Sequence, residues 1–219
     1  MSAEEYFGDW VTVIDIKELA KIIKWLNSID KTKLCPQPKD IFKAFKLCSL
    51  YNCRAVFIGQ EPYSQKGVAT GILFGNNSDN LSPSLEVVKE AVIDYSIPHN
   101  NIDFDNSLES WAKQGILMLN SSLTCEVNNV GSHINIWNPF MTKFIYKLSK
   151  YNPSLVYALF GKQSELLEKY IVNSNGVFKE YHPAYYARVN TKMPSKIFKD
   201  VNKFLTDFYG FGINYYGYL

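Results

Sequence analysis

The amino-acid sequence predicts an α/β protein: a single domain in which a central, four-stranded, mainly parallel sheet is flanked by helices. Three observations predict it. Short strand-like runs recur at RAVFIGQ (54–60), GILMLNSSL (115–123), SLVYALFG (154–161) and VFKEYHP (177–183). Stretches with helical periodicity separate them, and parallel neighbours need such crossovers. The 219 residues, 47% hydrophobic and 20% charged, suffice for one compact domain spanning residues 1–219 but would be cramped as two.

In chain order, Val11, Val13, Ile14, Leu19, Ile22, Ile23 and Leu26 approximate a helical stripe over residues 11–30, closed at Asn27-Ser28. A second helix is expected near 38–50, followed by the buried strand 54–60. After a Gly- and Asn-rich loop, Ser82 or Ser84 can cap a helix carrying Leu85, Val87, Val88, Ala91 and Val92, with Glu86 in its first turn. Residues 107–115 read as a shorter helix stopped by Gly115, and 115–123 as the second strand. A helix from about Pro139 to Lys150 leads to the third strand, and 162–172 to a further crossover helix. The fourth strand, 177–183, runs into a loop before a last helix at 194–208. The uncharged aromatic tail 210–219 is expected to pack on the body rather than fray or meet a partner.

Composition narrows the classes of function. No apolar run approaches the roughly 20 residues that span a bilayer, and MSAEEYFGDW is acidic where a signal peptide is basic and then apolar, so an intracellular, cytoplasmic monomer with no membrane contact is expected. Cys35, Cys48, Cys53 and Cys125 form no CxxC pair and have no His at metal spacing; they read as reduced core thiols, with an iron–sulfur cluster as the sharper alternative. Twelve Lys and Arg face sixteen Asp and Glu over residues 1–140, against eleven and five over 141–207, a balance of −4 and +6. A basic C-terminal third suits a DNA-facing edge, and solvated helix faces would give a similar count.

The chemistry gathers at the strand ends. GQEPYS (59–64), Leu119-Asn120, LFG (159–161) and HPAYYA (182–187) each follow a strand, and ligands of parallel sheets collect beyond the carboxyl ends. Brought together, they would line a cleft with the carboxylate of Glu61, the amide of Asn120, the imidazole of His182 and the rings of Tyr63 and Phe74. That set suits a planar, polar ring held by stacking and by edge hydrogen bonds. Taken singly, each has a blander reading: a loop His, a turn-capping Asn, a core Phe.

Read together and in order, these segments resemble family 1 uracil-DNA glycosylases. GQEPYS is similar to the family's water-activating GQDPYH loop, ATGILFGN to the segment bearing its uracil-stacking Phe, and SPSLEVVKEA to its DNA-pinching Pro/Ser loop. SWAKQGILMLNSSLT resembles WAKQGVLLLN, LFGKQS the Gly-Ser loop, GSH (131–133) the NSH loop and HPAYYA the intercalating HPSPLS loop. The resemblance covers about residues 45–207; His99 lies in no motif. It implies a three-layer sandwich that flips uracil out of DNA and hydrolyses its glycosidic bond, with water as nucleophile and neither metal nor organic cofactor. Glu61 and His182 would be catalytic. Gln60 and Phe74 would line the pocket, Tyr63 would exclude thymine's methyl group, and Asn120 would read the uracil edge. Contacts to DNA would come from Ser64, Pro83, Ser84, Gly161, Lys162, Gln163, Ala184, Tyr185, Tyr186 and Arg188, with Lys192 nearby. DNA-mimicking protein inhibitors commonly target the family, which makes an acidic protein a candidate partner.

The sequence departs from the family pattern in four places. Glu61 stands for the catalytic Asp, lengthening the side chain by roughly 1.5 Å. Ser64 replaces a His, Ala184 a phosphate-touching Ser, and Tyr186 the Leu wedge. Slow but real excision is the expectation. The alternative is a protein of the same fold that binds DNA or a partner without efficient excision, and a third reading is release of a different damaged base.

Overall fold

The computed structural model describes residues 2–78, 80–93, 104–174 and 176–216. Helix α1 (Ala3–Phe7) and a 3-10 turn lead to α2 (Ile16–Ser28), followed by β1 (Leu34–Cys35), α3 (Lys43–Leu47) and β2 (Ala55–Gly59). Then come α4 (Pro83–Ile93), α5 (Glu109–Lys113), β3 (Ile116–Asn120), β4 (Cys125–Glu126), α6 (Ile134–Tyr151) and β5 (Val156–Phe160). The chain closes with α7 (Lys162–Glu165), β6 (Gly176–Glu180), α8 (Pro183–Val189) and α9 (Lys196–Tyr209).

Four strands form the expected parallel sheet in the order β3-β2-β5-β6. Side chains alternate across it, as strand geometry requires. Val56, Ile58, Leu117, Leu119, Tyr157 and Leu159 enter one core with Leu19, Ile22 and Leu26 of α2 and Phe140, Phe144 and Leu148 of α6. Ala55, Phe57, Ile116, Met118, Val156, Ala158 and Phe160 enter the other with Leu85 and Val88 of α4, Trp111 of α5 and Phe198 and Val201 of α9. Burial on both faces is why β2, β3 and β5 read as unbroken apolar runs. A small antiparallel ribbon, β1 with β4, was not anticipated; it pairs Cys35 with Cys125. All four cysteines are free and buried. Among the described residues no helix is long and apolar enough to cross a membrane.

Several helix boundaries differ from the expected ones. The stripe over 11–30 is split, because Asp15 caps α2 by accepting the Glu18 N–H at 3.2 Å; residues 8–12 form the 3-10 turn that buries Trp10. The stretch near 38–50 holds a 3-10 turn at 38–40 and only the short α3. Of the two candidate caps of α4 it is Ser82 that serves, accepting the Leu85 N–H at 3.3 Å, while Ser84 is buried within the helix. Helix α6 begins five residues before Pro139, which is therefore an interior proline; buried Trp137 donates from its indole to Thr124 Oγ1 at 2.7 Å and pins the early turn. The crossover expected over 162–172 breaks into α7 and a 3-10 turn, with Leu167 and Tyr170 donating only three residues back, to Ser164 and Leu167. HPAYYA is a helix rather than a loop: Pro183 takes the first position of α8, which tolerates its missing N–H, and His182 caps it.

The described part of the tail packs on the body. The Asn202 side chain brackets the backbone of Ile213 with two 2.8 Å bonds, Gln114 accepts the Asn214 N–H at 2.8 Å, and Trp111 donates to the Tyr215 carbonyl at 2.9 Å. Tyr215, 1% exposed, fills the space between Trp111 and Phe198. Replacing such a ring by Ala removes its apolar area and leaves a cavity. Tyr215→Ala is therefore expected to lower the free energy of unfolding by about 3–5 kcal/mol, measurable by urea denaturation, whereas an unchanged midpoint would mean that the tail is not part of the folded unit.

Candidate functional site

Since β2, β3, β5 and β6 run in one direction, their carboxyl ends share an edge, and each hands over a candidate residue there. Strand β2 ends at Gly59 before Gln60 and Glu61, β3 ends on Asn120, β5 ends before Gly161, and β6 ends two residues before His182. Gln60, Glu61, Tyr63, Ser64, Phe74, Ser84, Asn120, His182 and Ala184 line one pocket of about 250 Å³. A larger groove of about 760 Å³ lies by α1 and α2, but its lining is mainly apolar and its only charged side chains are lysines. The smaller pocket holds the candidate site residues.

The turn that carries Glu61 is fastened from three sides. Ser121 Oγ donates to the carbonyls of Gly59 and Gln60, at 3.1 and 2.7 Å, and Ser122 N–H donates to Gln60 at 3.0 Å. Cys125 Sγ approaches the Pro62 carbonyl and Cys35 Sγ the Ser64 carbonyl, both at 3.4 Å, so the ribbon thiols sit beneath the loop. Asn128 N–H donates to the same Ser64 carbonyl at 3.0 Å. The Glu61 carboxylate accepts from the backbone N–H of Gly131 through Oε2 and from Gln60 Nε2 at 3.2 Å through Oε1. Burial raises its pKa above the ordinary carboxylate value, and those two donors oppose the rise.

The pocket walls are held as firmly. Phe74 takes a left-handed φ of 61° and sets its buried ring edge-on to Phe160 at 5.2 Å and to His182 at 5.5 Å. Its carbonyl accepts the Tyr63 hydroxyl at 3.0 Å, which fixes the tyrosine ring against the pocket; burial pushes that phenol well above its usual pKa. Asn120 is 7% exposed, and its Oδ1 is buried with no partner. The other such atom among the described residues, the Tyr157 hydroxyl, belongs to the core on the α6 side of the sheet.

His182 Nδ1 accepts the Ala184 N–H at 3.2 Å, capping α8, so the neutral ring carries its proton on Nε2. Burial lowers its pKa to about 4. Gly161, at φ +88°, makes room for it, since a Cβ there would stand 2.9 Å from His182 Cβ. The imidazole is thus a neutral donor at physiological pH.

The remaining expected residues lie outside the pocket. Pro83 opens α4 and is exposed, as is Lys162 at the start of α7; Gln163 is half-buried. On α8, Tyr185 and Arg188 are exposed, but Tyr186 is 8% exposed and donates its hydroxyl to Glu180 Oε1 at 2.6 Å. The outward ring expected at Tyr186 is therefore at Tyr185, because the helical turn rotates Tyr186 onto the sheet. His99 lies outside the described residues. Sequence reasoning missed Val130, which lines the pocket, and the Gly131 N–H that holds Glu61; the GSH segment was the only signal near them. Among the described residues no group of three or more His, Cys, Asp or Glu could hold a metal ion.

Residues 45–206 match the Uracil DNA glycosylase superfamily. The chain is 34% identical over 184 residues to the uracil-DNA glycosylase of Mesomycoplasma hyopneumoniae, covering 81% of each protein. It is 36% identical over 188 residues to that of Campylobacter jejuni, covering 83% of this chain and 79% of the relative. Among solved structures, mimivirus uracil-DNA glycosylase superposes with a TM-score of 0.72 over 99% of this chain and 94% of that one, at 19% identity, a likeness of fold. A variant of the mimivirus protein, solved in complex with UGI, gives 0.73 at 18% identity over 98% and 94%.

A buried carboxylate with a raised pKa binds its proton more tightly folded than unfolded, so its ionised form opposes folding, by an amount that builds as pH rises from the unfolded to the folded value and then stays constant. Glu61→Gln keeps an acceptor for Gly131 N–H and removes the charge. The variant is expected to melt a few degrees above the parent at neutral pH, with the gap closing in acid; a lower melting temperature at neutral pH would count against a burial-dominated Glu61.

Proposed function

Because the chain belongs to the uracil DNA glycosylase superfamily, we propose that it is a monofunctional DNA glycosylase, a hydrolase that flips uracil out of DNA and cleaves its N-glycosidic bond, leaving an abasic site for base-excision repair. The observation that carries the reading is the buried, unpartnered Oδ1 of Asn120 in a pocket walled by Phe74 and Tyr63. An orphaned buried acceptor is costly, and the N3–H of uracil would satisfy it while the Asn120 amide N–H donates to the neighbouring carbonyl. Cytosine presents a lone pair at that ring position and would leave two acceptors facing each other. Tyr63, fastened through Phe74, would meet a C5 methyl group and so exclude thymine.

In the reaction, the bond between the sugar and the base breaks with its electrons moving onto the base. His182 Nε2–H donates to the carbonyl oxygen where that charge grows. The neutral ring suits the task, since it stabilises the leaving base without having to give up its proton. Glu61 faces the cationic sugar and orients the attacking water. Phe74 lies along the ring of the extruded base. The longer Glu61 side chain is accommodated by the Gly131 amide, which pulls the carboxylate back toward the 129–133 turn. Its rate is expected to lie below that of Asp-bearing relatives, because the extra torsion loosens placement. Ser64, Pro83, Ser84, Gly161, Lys162, Gln163, Ala184 and Arg188 are the candidates for DNA contact, with Lys162 and Arg188 supplying positive charge. An acidic protein that imitates DNA would fit the same face. We also read residues 1–219 as one intracellular unit that acts as a monomer.

Strand scission by alkali after incubation with a uracil-containing oligonucleotide tests the activity. His182→Ala is expected to reduce scission by about 10²–10³-fold, the usual loss for one oxyanion donor; DNA binding with no scission by the parent protein at high concentration would replace the enzyme with a binding protein. Glu61→Asp separates the carboxylate from Gly131 N–H and is expected to lower the rate by on the order of 10-fold or more, so an increase would show that the loop has not adapted to Glu. In acid, activity should fall as Glu61 gains its proton at a raised pKa, before His182 protonates near pH 4. A profile whose acid limb survives Glu61→Gln would assign that limb elsewhere.

A further inference from the structure

Beneath the loop that carries Glu61 lies a pair of thiols that the chemistry above does not use. Cys35 of β1 and Cys125 of β4 stand directly opposite each other in the antiparallel ribbon and are 1% and 0% exposed. Opposed residues of such a ribbon lie about 4.5–5.5 Å apart at Cα, within the roughly 4.4–6.8 Å that a disulfide bridges. Both sulfurs meet the same loop. Cys125 Sγ donates to the Pro62 carbonyl at 3.4 Å, and Cys35 Sγ faces those of Ser64 at 3.4 Å and Gln65 at 3.7 Å. Glu61 is thus the chain neighbour of a residue held from below by a thiol proton. The ribbon also reaches the other support of that carboxylate, because Glu126 N–H donates to Ser132 Oγ at 2.8 Å, in the turn whose Gly131 N–H meets Glu61.

We propose that Cys35 and Cys125 are a reversible oxidation site, joined by a peroxide into a disulfide that unfastens the Glu61 loop and slows excision. The effect on excision rests on the glycosylase reading; the bond itself does not. In the first step the Cys35 thiolate attacks one peroxide oxygen, the O–O bond breaks, and the departing hydroxide takes up a proton as water, leaving a sulfenic acid. Cys125 sulfur then attacks that sulfur, the S–O bond breaks, and hydroxide leaves as water with the thiol proton. Two thiols lose two electrons and one peroxide gains them. Cys35 is the attacking member: burial raises both thiols, Cys125 to about 12, but Lys66 favours the Cys35 thiolate whereas Glu61 disfavours that of Cys125. The bridge carries no S–H, so the Pro62 and Ser64 carbonyls lose their thiol donors together. Ser64 keeps the Asn128 N–H at 3.0 Å, and the loop loosens rather than detaches. Asn120 and Phe74, which stand on other segments, keep their places, so the loss falls on the placement of Glu61 and not on the grip on the base.

The test treats the full chain with hydrogen peroxide at mildly alkaline pH, alkylates the remaining thiols and maps disulfides by mass spectrometry, with excision kinetics on a uracil oligonucleotide measured in parallel. A Cys35–Cys125 link is expected, forming faster as pH rises, with kcat lowered by on the order of 10-fold, KM little changed, and both the link and the loss reversed by dithiothreitol. Cys35→Ser and Cys125→Ser keep a hydroxyl donor for the loop but cannot form the bridge, so each should hold its own untreated rate under peroxide. A folded parent that forms no such link on prolonged exposure, or that loses the same rate while linking Cys48 to Cys53 instead, overturns the proposal. So does a Cys35–Cys125 link that leaves kcat unchanged, or a Ser variant that loses as much as the parent. Should the untreated parent release no uracil, the glycosylase reading fails on its own, and amide hydrogen exchange over residues 60–66 then decides: faster exchange in the linked protein supports the unfastening, and equal exchange overturns it.

Discussion

The structure depends on one constraint: a parallel ladder buried on both faces forces four strands to end on the same edge. Ladder bonds between β2 and its neighbours β3 and β5, and between β5 and β6, fix the backbone to the last strand residue, and the side-chain alternation fills two separate cores. Each strand end is therefore placed by interactions that have no part in the chemistry. The residues at and just past those ends, Gln60-Glu61, Asn120, Gly161 and Tyr181-His182, inherit that precision without having to supply it. Ser121 and Ser122 extend the ladder's work past the sheet by tying the end of β3 to the turn after β2.

Drying the edge is what gives its groups their character. The same burial lifts the Glu61 pKa, lowers that of His182 to about 4 and leaves Asn120 Oδ1 without a partner. Each costs free energy in the folded protein. The carboxylate and the imidazole are pushed in opposite directions by one cause, because burial disfavours whichever form is charged. The outcome is an imidazole that stays neutral and a carboxylate whose pKa is raised by burial, against the opposing hydrogen bonds from Gly131 and Gln60.

Much of this was legible in the sequence, and the limits have physical causes. Continuous apolar runs announced β2, β3 and β5, since two-sided burial leaves no polar positions to confuse the period. The site was legible because strand ends are marked by Gly and by the polar residues next to it. Helix limits were harder. Pro139 looked like a first-turn proline, but Trp137 had already anchored the helix upstream, a tertiary contact that no local pattern encodes. HPAYYA lacked an obvious cap because the capping group is the imidazole of His182 itself. The Gly131 amide was invisible in principle, since every residue but proline offers a backbone N–H and only the fold decides which one meets a carboxylate. Tyr186 was misplaced by one position for a similar reason: in a loop either ring could face out, whereas a helix assigns each a direction.

The cap on α8 ties two things together that a sequence would keep apart. His182 Nδ1 holds the first turn of the helix on which Tyr185, Tyr186 and Arg188 sit, while the same ring lines the pocket. A proton added at Nδ1 would take away the acceptor for the Ala184 amide and turn a bond into a clash of two donors. Acidification to the pH at which His182 titrates, below that at which Glu61 takes up its proton, would thus loosen the first turn of α8 and charge the pocket wall in one event.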